Sequence, residues 1–263
     1  MKTLIYQVYV GKRSKLYDHC VESVAQYCKL HGIEHAVQKT PILKVRPDPF
    51  TTNRSKDAVE RLGYLPIYEK ENAFTYLKTR KQVAVVDSDV FIKPGAPNIF
   101  NELSDEYHFG GVVEREMPIT SQYKTKIQNY SKMQYSNIRN VDWKWNSFGA
   151  QFMNMGIMVM NQKLVDDYLR GQTPIQFLSR PEFKPFIDGV GNWKWSTDQT
   201  LLNTWIRSEE KNGLKIKNLD WRFNALYSAI REDQMKKAHF VHFFLKDKLP
   251  QRGENVKELM KYV

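Results

Sequence analysis

The segment VAVVDSDVFI, residues 83–92, decides how the rest of this chain is interpreted. Its small and β-branched apolar residues predict a buried strand, and two aspartates, Asp87 and Asp89, follow the first four of them. Because side chains alternate along a strand, the two carboxylates are predicted to share one face. An unpaired buried charge is costly, so this pair requires a cation, hydrogen-bond donors or water.

Two carboxylates on one face at the carboxyl end of a strand form a candidate site for a hard divalent cation. Mg²⁺-like ions are bound through one or two carboxylates and keep other coordination positions for substrate phosphates. Ligands of open α/β sheets also bind outside the carboxyl ends of the strands. The alternative is a solvated turn in which Asp87 and Asp89 are only favourable turn residues. The D-x-D triplet by itself leaves both interpretations open.

Segments with strand and helix patterns alternate along the whole chain. Strands are predicted over residues 3–10, 33–40, 82–92, 108–116, 150–161 and 236–245, and helices over 14–32, 55–62, 68–80, 162–171 and 196–210. Ser14 and Gly32 are the predicted start and stop of the first helix. This alternation predicts an α/β protein with a mostly parallel sheet flanked by helices.

The intervening stretches predict loops but no second domain. Residues 41–54 contain three prolines and predict a loop, and the polar, tyrosine-rich stretch 120–147 predicts a flexible lobe. No Pro/Gly/Ser-rich linker divides the chain, so we expect one domain over residues 1–263 with a tail at about 251–263. The tail either packs on the domain or lies on an anionic membrane. Its apolar residues at helical spacing are Val256, Leu259, Met260 and Val263.

The composition is that of a packed globular protein, with 41% hydrophobic and 13% aromatic residues in a chain of 263. No run of about 18 apolar residues occurs, so the sequence predicts no membrane-spanning helix. The only two cysteines, Cys20 and Cys28, lie about two turns apart on one predicted helix, too far apart for a disulfide. These features favour a reducing compartment, and we expect a cytoplasmic protein.

The net charge of +11 raises the alternative of a basic, non-enzymatic nucleic-acid-binding protein. The 40 basic residues are, however, spread along the chain, with no arginine-rich run and no nucleic-acid motif. A basic surface also suits a nucleoside diphosphate, a phospholipid headgroup or an acidic glycan. We therefore expect no nucleic-acid partner.

Three further segments accompany the D-x-D strand in an order that resembles one enzyme family. FMNMGIMVMN (152–161) is similar to an F-N-x-G-x-x-x-x-N strand, TDQTLLN (197–203) to a D-Q-x-x-x-N helix start, and HFFLKDK (242–248) to a closing H-F-x-G-x-x-K segment. Over about residues 3–250 the chain thus resembles glycosyltransferases with the GT-A fold, in particular the retaining family 8 branch that includes glycogenin and bacterial galactosyltransferases. It departs from that pattern at Leu245, which replaces the closing glycine.

This resemblance implies a GT-A, Rossmann-like α/β fold and a metal-dependent reaction. The reaction would move a sugar from a nucleoside-diphosphate sugar, with UDP as the expected nucleotide, to a hydroxyl of a glycan, glycolipid or protein, with retention at the anomeric carbon. Asp87 and Asp89 would hold Mn²⁺ or Mg²⁺ against the diphosphate, with His242 as the third metal ligand, and Ser88 would belong to the donor-binding residues. The cation and Lys248 would neutralise charge on the departing nucleoside diphosphate.

The resemblance also implies roles for residues outside the D-x-D. Lys70 matches a basic residue that faces the donor, with an exposed helix lysine as the alternative. Asn154 and Asp198 would contact hydroxyls of the transferred sugar, and Gln199 would lie beneath its anomeric carbon. Alternatively, Asn154 is a buried amide whose hydrogen bonds are made within the protein. Tyr9 would stack on the base, with a core tyrosine as the alternative.

The closing segment offers two histidines, three residues apart and therefore on opposite faces of a strand. In the family pattern a lysine follows the liganding histidine by six residues. That position is Lys248 when counted from His242 and Leu245 when counted from His239. The resemblance therefore selects His242 as the metal ligand and leaves His239 as a packed strand residue.

Four tryptophans flank the proposed site segments: Trp143, Trp145, Trp193 and Trp195. Aromatic faces pack on the apolar patches of sugar rings, but large aromatic residues also fill protein cores. We expect core packing for two of the four, and the sequence leaves open which two.

A haloacid-dehalogenase-type phosphatase is a further alternative, because it also uses a D-x-D at the end of a strand, with the first aspartate as nucleophile. Its motif normally continues with threonine or valine where this chain has Phe91, and here the motif lies a third of the way along the chain. Phosphate release from a generic ester, without any effect of nucleotide sugar, would favour this alternative.

Overall fold

The computed structural model describes residues 2–56, 60 and 62–263 of the chain. Six strands form a central sheet in the order β2-β1-β3-β6-β5-β7. They are β1 (Thr3–Val8), β2 (Glu34–Gln38), β3 (Gln82–Val86), β5 (Phe109–Val113), β6 (Met153–Asn161) and β7 (Ile216–Asn218). A second sheet has the order β4-β9-β8 and consists of β4 (Val90–Ile92), β8 (Ala225–Leu226) and β9 (Phe240–His242).

Most strands of the central sheet run in the same direction. β1 pairs in parallel with β2 and β3, and β5 pairs in parallel with β7, whereas β6 is antiparallel to both β3 and β5. Five strands therefore share one direction, and β6 is reversed. The prediction of a mostly parallel α/β sheet is confirmed. The carboxyl end of β3 lies beside the beginning of β6.

Helices and short helical turns connect the strands. The α-helices are α1 (Lys15–His31), α2 (Phe74–Leu77), α3 (Ser121–Tyr135), α4 (Pro174–Leu178), α5 (Lys184–Asp188), α6 (Asp198–Glu209), α7 (Glu232–Met235) and α8 (Val256–Leu259). A 3₁₀ helix over Pro66–Ala73 precedes α2, and another over Gly191–Trp195 precedes α6. The helix predicted over 55–62 includes residues 57–59 and 61, which lie outside the described residues. Within the described ranges, no helix combines the length and apolar character needed to cross a membrane.

The central sheet is buried on both faces, which explains why its strands are continuously apolar. On β3, Ala84 and Val86 face a hydrophobic cluster that includes residues of α1. Val83 and Val85, which point the other way, face a second cluster that includes residues of α6. The uninterrupted apolar run before the D-x-D is thus a strand with a hydrophobic core on either side.

The strand predicted over residues 82–92 is in fact two strands, which corrects the sequence interpretation. The turn Asp87–Asp89 separates β3 from β4. The Asp87 N–H donates to the carbonyl of Gly156, and the Val90 N–H donates to the carbonyl of Asp87. Because β4 then pairs with β9 in the second sheet, the two aspartates do not share one face of a single strand.

The stretch predicted as a flexible lobe, residues 120–147, begins with the 15-residue helix α3, so this prediction is wrong. The buried positions of α3 include Ile127 but also Ser131 and Gln134, so the helix lacks the apolar stripe that normally marks one. The Gln134 side-chain carbonyl accepts the Thr200 hydroxyl at 2.9 Å. Hydrogen bonds therefore stabilise a face that hydrophobic periodicity does not reveal.

The first and last helices pack against each other. Helix α8 buries Leu259 in the cluster that contains Leu16 of α1, and the other apolar tail residues pack against the same cluster. Helix α1 ends, as predicted, at Gly32, whose φ of 66° is left-handed. Cys20 and Cys28 of α1 are buried and free.

Candidate active site

The turn after β3 and the end of β9 bring two carboxylates and one imidazole together. In the antiparallel pairing of β4 with β9, Val90 lies opposite His242, and the Phe243 N–H donates to the Asp89 carbonyl at 2.9 Å. His242 Nε2 lies 3.2 Å from Asp89 Oδ1 and 3.9 Å from Asp87 Oδ2. One potential ligand atom from each of these three side chains lies within 4.8 Å of the other two. The described residues contain no other such group of three.

Gly156 of β6 makes room for this cluster. A Cβ atom at this position would collide with the His242 imidazole, so only glycine lets the ring pack against the strand. The Gly156 carbonyl accepts the Asp87 N–H at 2.9 Å and so anchors the turn. One residue of the FMNMGIMVMN segment therefore positions two of the three side chains in the cluster.

Lys70 lies on the other side of Asp87 and is buried. It belongs to the 3₁₀ helix before α2, and its side chain is 9% exposed. Its Nζ lies 2.9 Å from Asp87 Oδ1 and 2.7 Å from Asp198 Oδ2, and it donates to the Met155 carbonyl at 3.1 Å. Three oxygen atoms thus lie within 3.1 Å of the ammonium group, which has three hydrogens to donate. The alternative of an exposed helix lysine does not apply.

Burial and neighbouring charges shift the pKa values of these groups in different directions. Burial raises the pKa of Asp87 to about 6, and the nearby Asp89 acts in the same direction, against the effect of Lys70. Burial also acts to raise the pKa of Asp89, but His242 and Lys70 together more than offset it, so that pKa is lowered. Burial disfavours the charged forms of His242 and Lys70, yet the adjacent carboxylates raise the pKa of both.

The charges in the cluster match those of a divalent cation. Three carboxylates meet the single ammonium group of Lys70, which leaves two negative charges when His242 is neutral. The raised pKa of Asp87 reflects burial together with this excess of negative charge. Carboxylate oxygens suit Mn²⁺ or Mg²⁺, and the imidazole nitrogen favours Mn²⁺ of the two, so the residues present fit the kind of metal that the sequence predicts. The three carboxylates belong to Asp87, Asp89 and Asp198.

A cavity of about 550 Å³ opens beside this cluster. Its floor is polar, and its wall contains Lys126 and a set of apolar and aromatic side chains. These are Ile67, Tyr123, Ile127, Tyr130, Trp195, Phe244 and Leu245. Trp195 leaves 63% of its surface exposed. A charged floor and an apolar wall suit a ligand that has one charged and one weakly polar part.

A hydrogen-bond network extends from the cavity lining to Asn224, and the sequence analysis did not identify its members Glu114, Tyr123 and Asn224. Glu114, at the end of β5, accepts the Tyr123 hydroxyl at 2.6 Å and the Asn154 amide at 3.1 Å. Burial raises the pKa of Glu114, and these two donors act against that shift. Asn224 joins the network between Asn154 and His242. Glu114 stands at a strand end, as the D-x-D does, so the same rule identifies it; no sequence signal marks Asn224.

Comparison with known proteins identifies the fold. No protein-family model matches the chain, and no curated protein does. Among solved structures, the galactosyltransferase LgtC in complex with donor and acceptor sugar analogs matches 98% of this chain and 94% of its own, with a TM-score of 0.56 and 11% identity. A glycosyltransferase involved in the glycosylation of the major capsid of PBCV-1 matches 99% of this chain and 100% of its own, with a TM-score of 0.54 and 13% identity. The chain has the GT-A fold.

This result confirms the GT-A resemblance that the sequence motifs indicate, at the level of the fold. The matches extend over nearly the whole chain, as the spacing of the motifs predicts. Neither a dehalogenase-type phosphatase nor a nucleic-acid-binding module is supported by them.

Within the GT-A fold, most of the predicted site residues meet at the cavity. Those that line it are Lys70, Asp87, Asp89, Asn154, Asp198, Gln199 and His242. Ser88 is the middle residue of the turn. Lys248 is exposed, and the Tyr9 hydroxyl donates to Asp18 Oδ1 at 3.0 Å. Neither Lys248 nor Tyr9 lines the cavity, and their roles stay predictions.

The remaining histidine and the tryptophans divide between core and cavity. His239 lies outside the metal-ligand group and packs its ring against a phenylalanine. Trp143 is buried, and Trp193 packs edge-on against another aromatic ring. Trp145 is exposed but does not line the cavity, whereas Trp195 does. Trp143 therefore packs in the interior, and Trp193 is half-buried against the second hydrophobic cluster.

Proposed function

We propose that this protein is a metal-dependent glycosyltransferase that moves a sugar from a nucleoside-diphosphate sugar, with UDP as the nucleotide, onto a hydroxyl acceptor. The observation that carries the proposal is the meeting of Asp87, Asp89 and His242 beside a cavity with a charged floor. The GT-A fold supports it, and the LgtC structure is a complex of such a fold with donor and acceptor sugar analogs.

In this proposal Asp87, Asp89 and His242 hold Mn²⁺ or Mg²⁺. The bound cation would supply Lewis-acid assistance to the departing nucleoside diphosphate. The chain's own contribution is to place two carboxylates and one imidazole within reach of a single ion. Lys70 holds the Asp87 carboxylate from the opposite side and thereby limits its rotation.

Asp198, Asn154 and Gln199 are proposed to orient the transferred sugar. Lys70 engages Asp198 Oδ2, which leaves Asp198 Oδ1 as an acceptor for a sugar hydroxyl. Gln199 is held in place because its Oε1 accepts the Met155 N–H at 3.3 Å. All three proposed sugar contacts therefore come from side chains whose positions are set by other hydrogen bonds or ion pairs.

The acceptor is proposed to bind along the apolar wall of the cavity. The exposed ring of Trp195 offers a face on which a sugar ring can pack. A glycan, a glycolipid or a glycosylated protein supplies such a ring next to its reactive hydroxyl. Retention at the anomeric carbon, a single domain over residues 1–263 and a cytoplasmic location complete the proposal. Retention is measured from the anomeric configuration of the product by NMR.

Asp89→Ala tests the proposed metal site. We expect calorimetric titration with UDP to show that Mn²⁺ strengthens binding to the wild type and has no such effect on Asp89→Ala, which should remain folded because the residue lies in a turn. Asp105→Ala is the matched control, because Asp105 is an exposed aspartate paired with Lys81 outside the site. An Mn²⁺-dependent gain in UDP affinity that persists in Asp89→Ala would refute the metal site.

A further inference from the structure

We infer that Asn224 is a positioning residue that holds the His242 imidazole in the tautomer whose Nε2 lone pair faces the two aspartates. This inference rests on the proposed metal-dependent function. It follows from the direction of a chain of hydrogen bonds that begins at a backbone N–H and ends at His242. Each step in that chain allows only one assignment of donor and acceptor.

The chain of hydrogen bonds begins at Gly156. Its backbone N–H, which can only donate, lies 3.0 Å from one side-chain atom of Asn154, so that atom is the oxygen Oδ1. The other side-chain atom of Asn154, Nδ2, donates to Glu114 Oε2 at 3.1 Å. A donor on one side and an acceptor on the other therefore fix the orientation of this amide.

Asn224 takes its orientation from Asn154. Its Nδ2 donates to Asn154 Oδ1 at 3.0 Å, so its Oδ1 is the atom that faces His242 Nδ1, at 3.1 Å. An oxygen without a proton can only accept, so the imidazole must carry its proton on Nδ1 to complete this bond. A neutral imidazole has one N–H, which leaves the lone pair on Nε2. Nε2 is the atom nearest to Asp87 and Asp89.

The opposite tautomer would compete directly with a cation. With the proton on Nε2, the imidazole would donate to Asp89 Oδ1 at 3.2 Å. Neither His242 Nε2 nor Asp89 Oδ1 would then be free to bind a cation. A carboxylate is a stronger acceptor than an amide, so Asp89 favours that tautomer and Asn224 opposes it. Asn224 and His242 are both buried, so water is not at hand to replace the amide oxygen. The parallel pairing of β8 with β9 sets Leu226 opposite His242 and thereby fixes the neighbouring Asn224.

Two substitutions separate the acceptor from the rest of the Asn224 side chain. Asn224→Asp and Asn224→Leu both lose the amide donor to Asn154, but only Asn224→Leu also loses the oxygen that faces His242. We expect Asn224→Leu to weaken Mn²⁺ binding about 10- to 100-fold, the usual effect of removing a hydrogen-bond partner of a metal-binding histidine. Asn224→Asp should keep the wild-type affinity or exceed it. Equal losses in the two variants, as a merely structural role predicts, would overturn the inference.

The charge added by Asn224→Asp needs its own control. In a His242→Ala background the two Asn224 substitutions should give the same Mn²⁺ affinity, because the effect passes through the imidazole. If Asn224→Asp and Asn224→Leu still differed in Mn²⁺ affinity in that background, the new carboxylate would be acting on the ion directly. That result would overturn the inference. Asn161→Leu, which changes a buried asparagine at the opposite end of β6, should leave Mn²⁺ affinity unchanged.

NMR of the unmutated protein gives a readout that does not depend on the folding of any variant. With ¹⁵N-labelled histidine and diamagnetic Mg²⁺ at saturation, the His242 proton should be on Nδ1; a proton on Nε2 would overturn the inference. A wild type that binds neither Mn²⁺ nor Mg²⁺ refutes the proposed function and this inference together. A wild type that binds Mn²⁺ through His242 and yet shows equal losses in both Asn224 variants refutes the inference alone.

Discussion

Lys70→Met should destabilise the protein by several kcal/mol, because the substitution removes the cation from two ion pairs in a buried environment. Its Nζ lies 2.9 Å from Asp87 Oδ1 and 2.7 Å from Asp198 Oδ2, and the side chain is 9% exposed. Removal of one partner from a buried ion pair leaves an uncompensated charge and costs about 3–5 kcal/mol. Methionine has a similar length and volume, so little of this loss would come from a cavity.

Lys184→Met is the matched control for this substitution. Lys184 also pairs with two aspartates, at 3.1 Å from Asp48 Oδ2 and 2.6 Å from Asp188 Oδ2, but its side chain is 56% exposed. Solvent screens an ammonium group that is more than half exposed, so its ion pairs contribute little to stability. The two variants therefore remove an ammonium group that is buried in Lys70 and more than half exposed in Lys184, while each lysine has one buried aspartate as a partner. The difference between their losses measures the effect of burial.

The free energy of unfolding is measured in urea at neutral pH, without divalent metal. Lys70→Met should lose several times as much as Lys184→Met, and Mn²⁺ should restore part of the loss because it supplies positive charge at the same place. The deficit should shrink as the pH falls below the pKa of Asp87, about 6, since that carboxylate is then protonated and no longer needs the ammonium group. Equal losses in the two lysine variants would refute the view that buried, charged carboxylates surround Lys70.

Three further predictions concern the same region. Burial raises the folded-state pKa of Asp87 to about 6, above its ordinary value, so the metal-free wild type should lose stability as the pH rises from about 4 to about 6. Urea titrations should show that Asp87→Asn removes this loss. His242→Ala should weaken Mn²⁺-dependent UDP binding far more than His239→Ala in calorimetry; the reverse order would contradict the ligand assignment. Leu245→Gly should destabilise the protein less than Leu30→Gly. Leu245 has a left-handed φ of 57°, which glycine tolerates, whereas Leu30 is an exposed residue of helix α1, where glycine is unfavourable. Equal urea midpoints would contradict this.

The central sheet could be predicted because both of its faces are buried. Residues of β3 and β6 are apolar at successive positions, and this pattern does not depend on any distant partner. The break after β3 could not be predicted, since residues 90–92 continue the apolar run. It arises because β4 pairs with β9, more than 140 residues later in the chain, and a single sequence contains no record of that pairing.

The candidate site divides in the same way. The D-x-D and His242 could be proposed because each stands in a recognisable motif, and their chemistry follows from their residue types. Asn224 could not, because its role depends on the direction of hydrogen bonds that join it to Asn154 and His242 across the fold. Glu114 also follows a strand, but one carboxylate without a neighbour in sequence is a weaker signal than a pair.

Leu245 shows that a departure from a sequence pattern need not change the backbone. The family pattern has glycine at this position, and here leucine adopts φ 57° and ψ 55°, a conformation in which glycine meets no steric penalty. A left-handed leucine costs about 1–2 kcal/mol. Its side chain is 52% exposed and lines the cavity, so burial in the core does not offset that cost. Leu245 is one of six left-handed non-glycine residues in the part of the chain that the structure describes, and it is the one of the six that lines this cavity, so we expect a ligand bound there to pack on its exposed side chain.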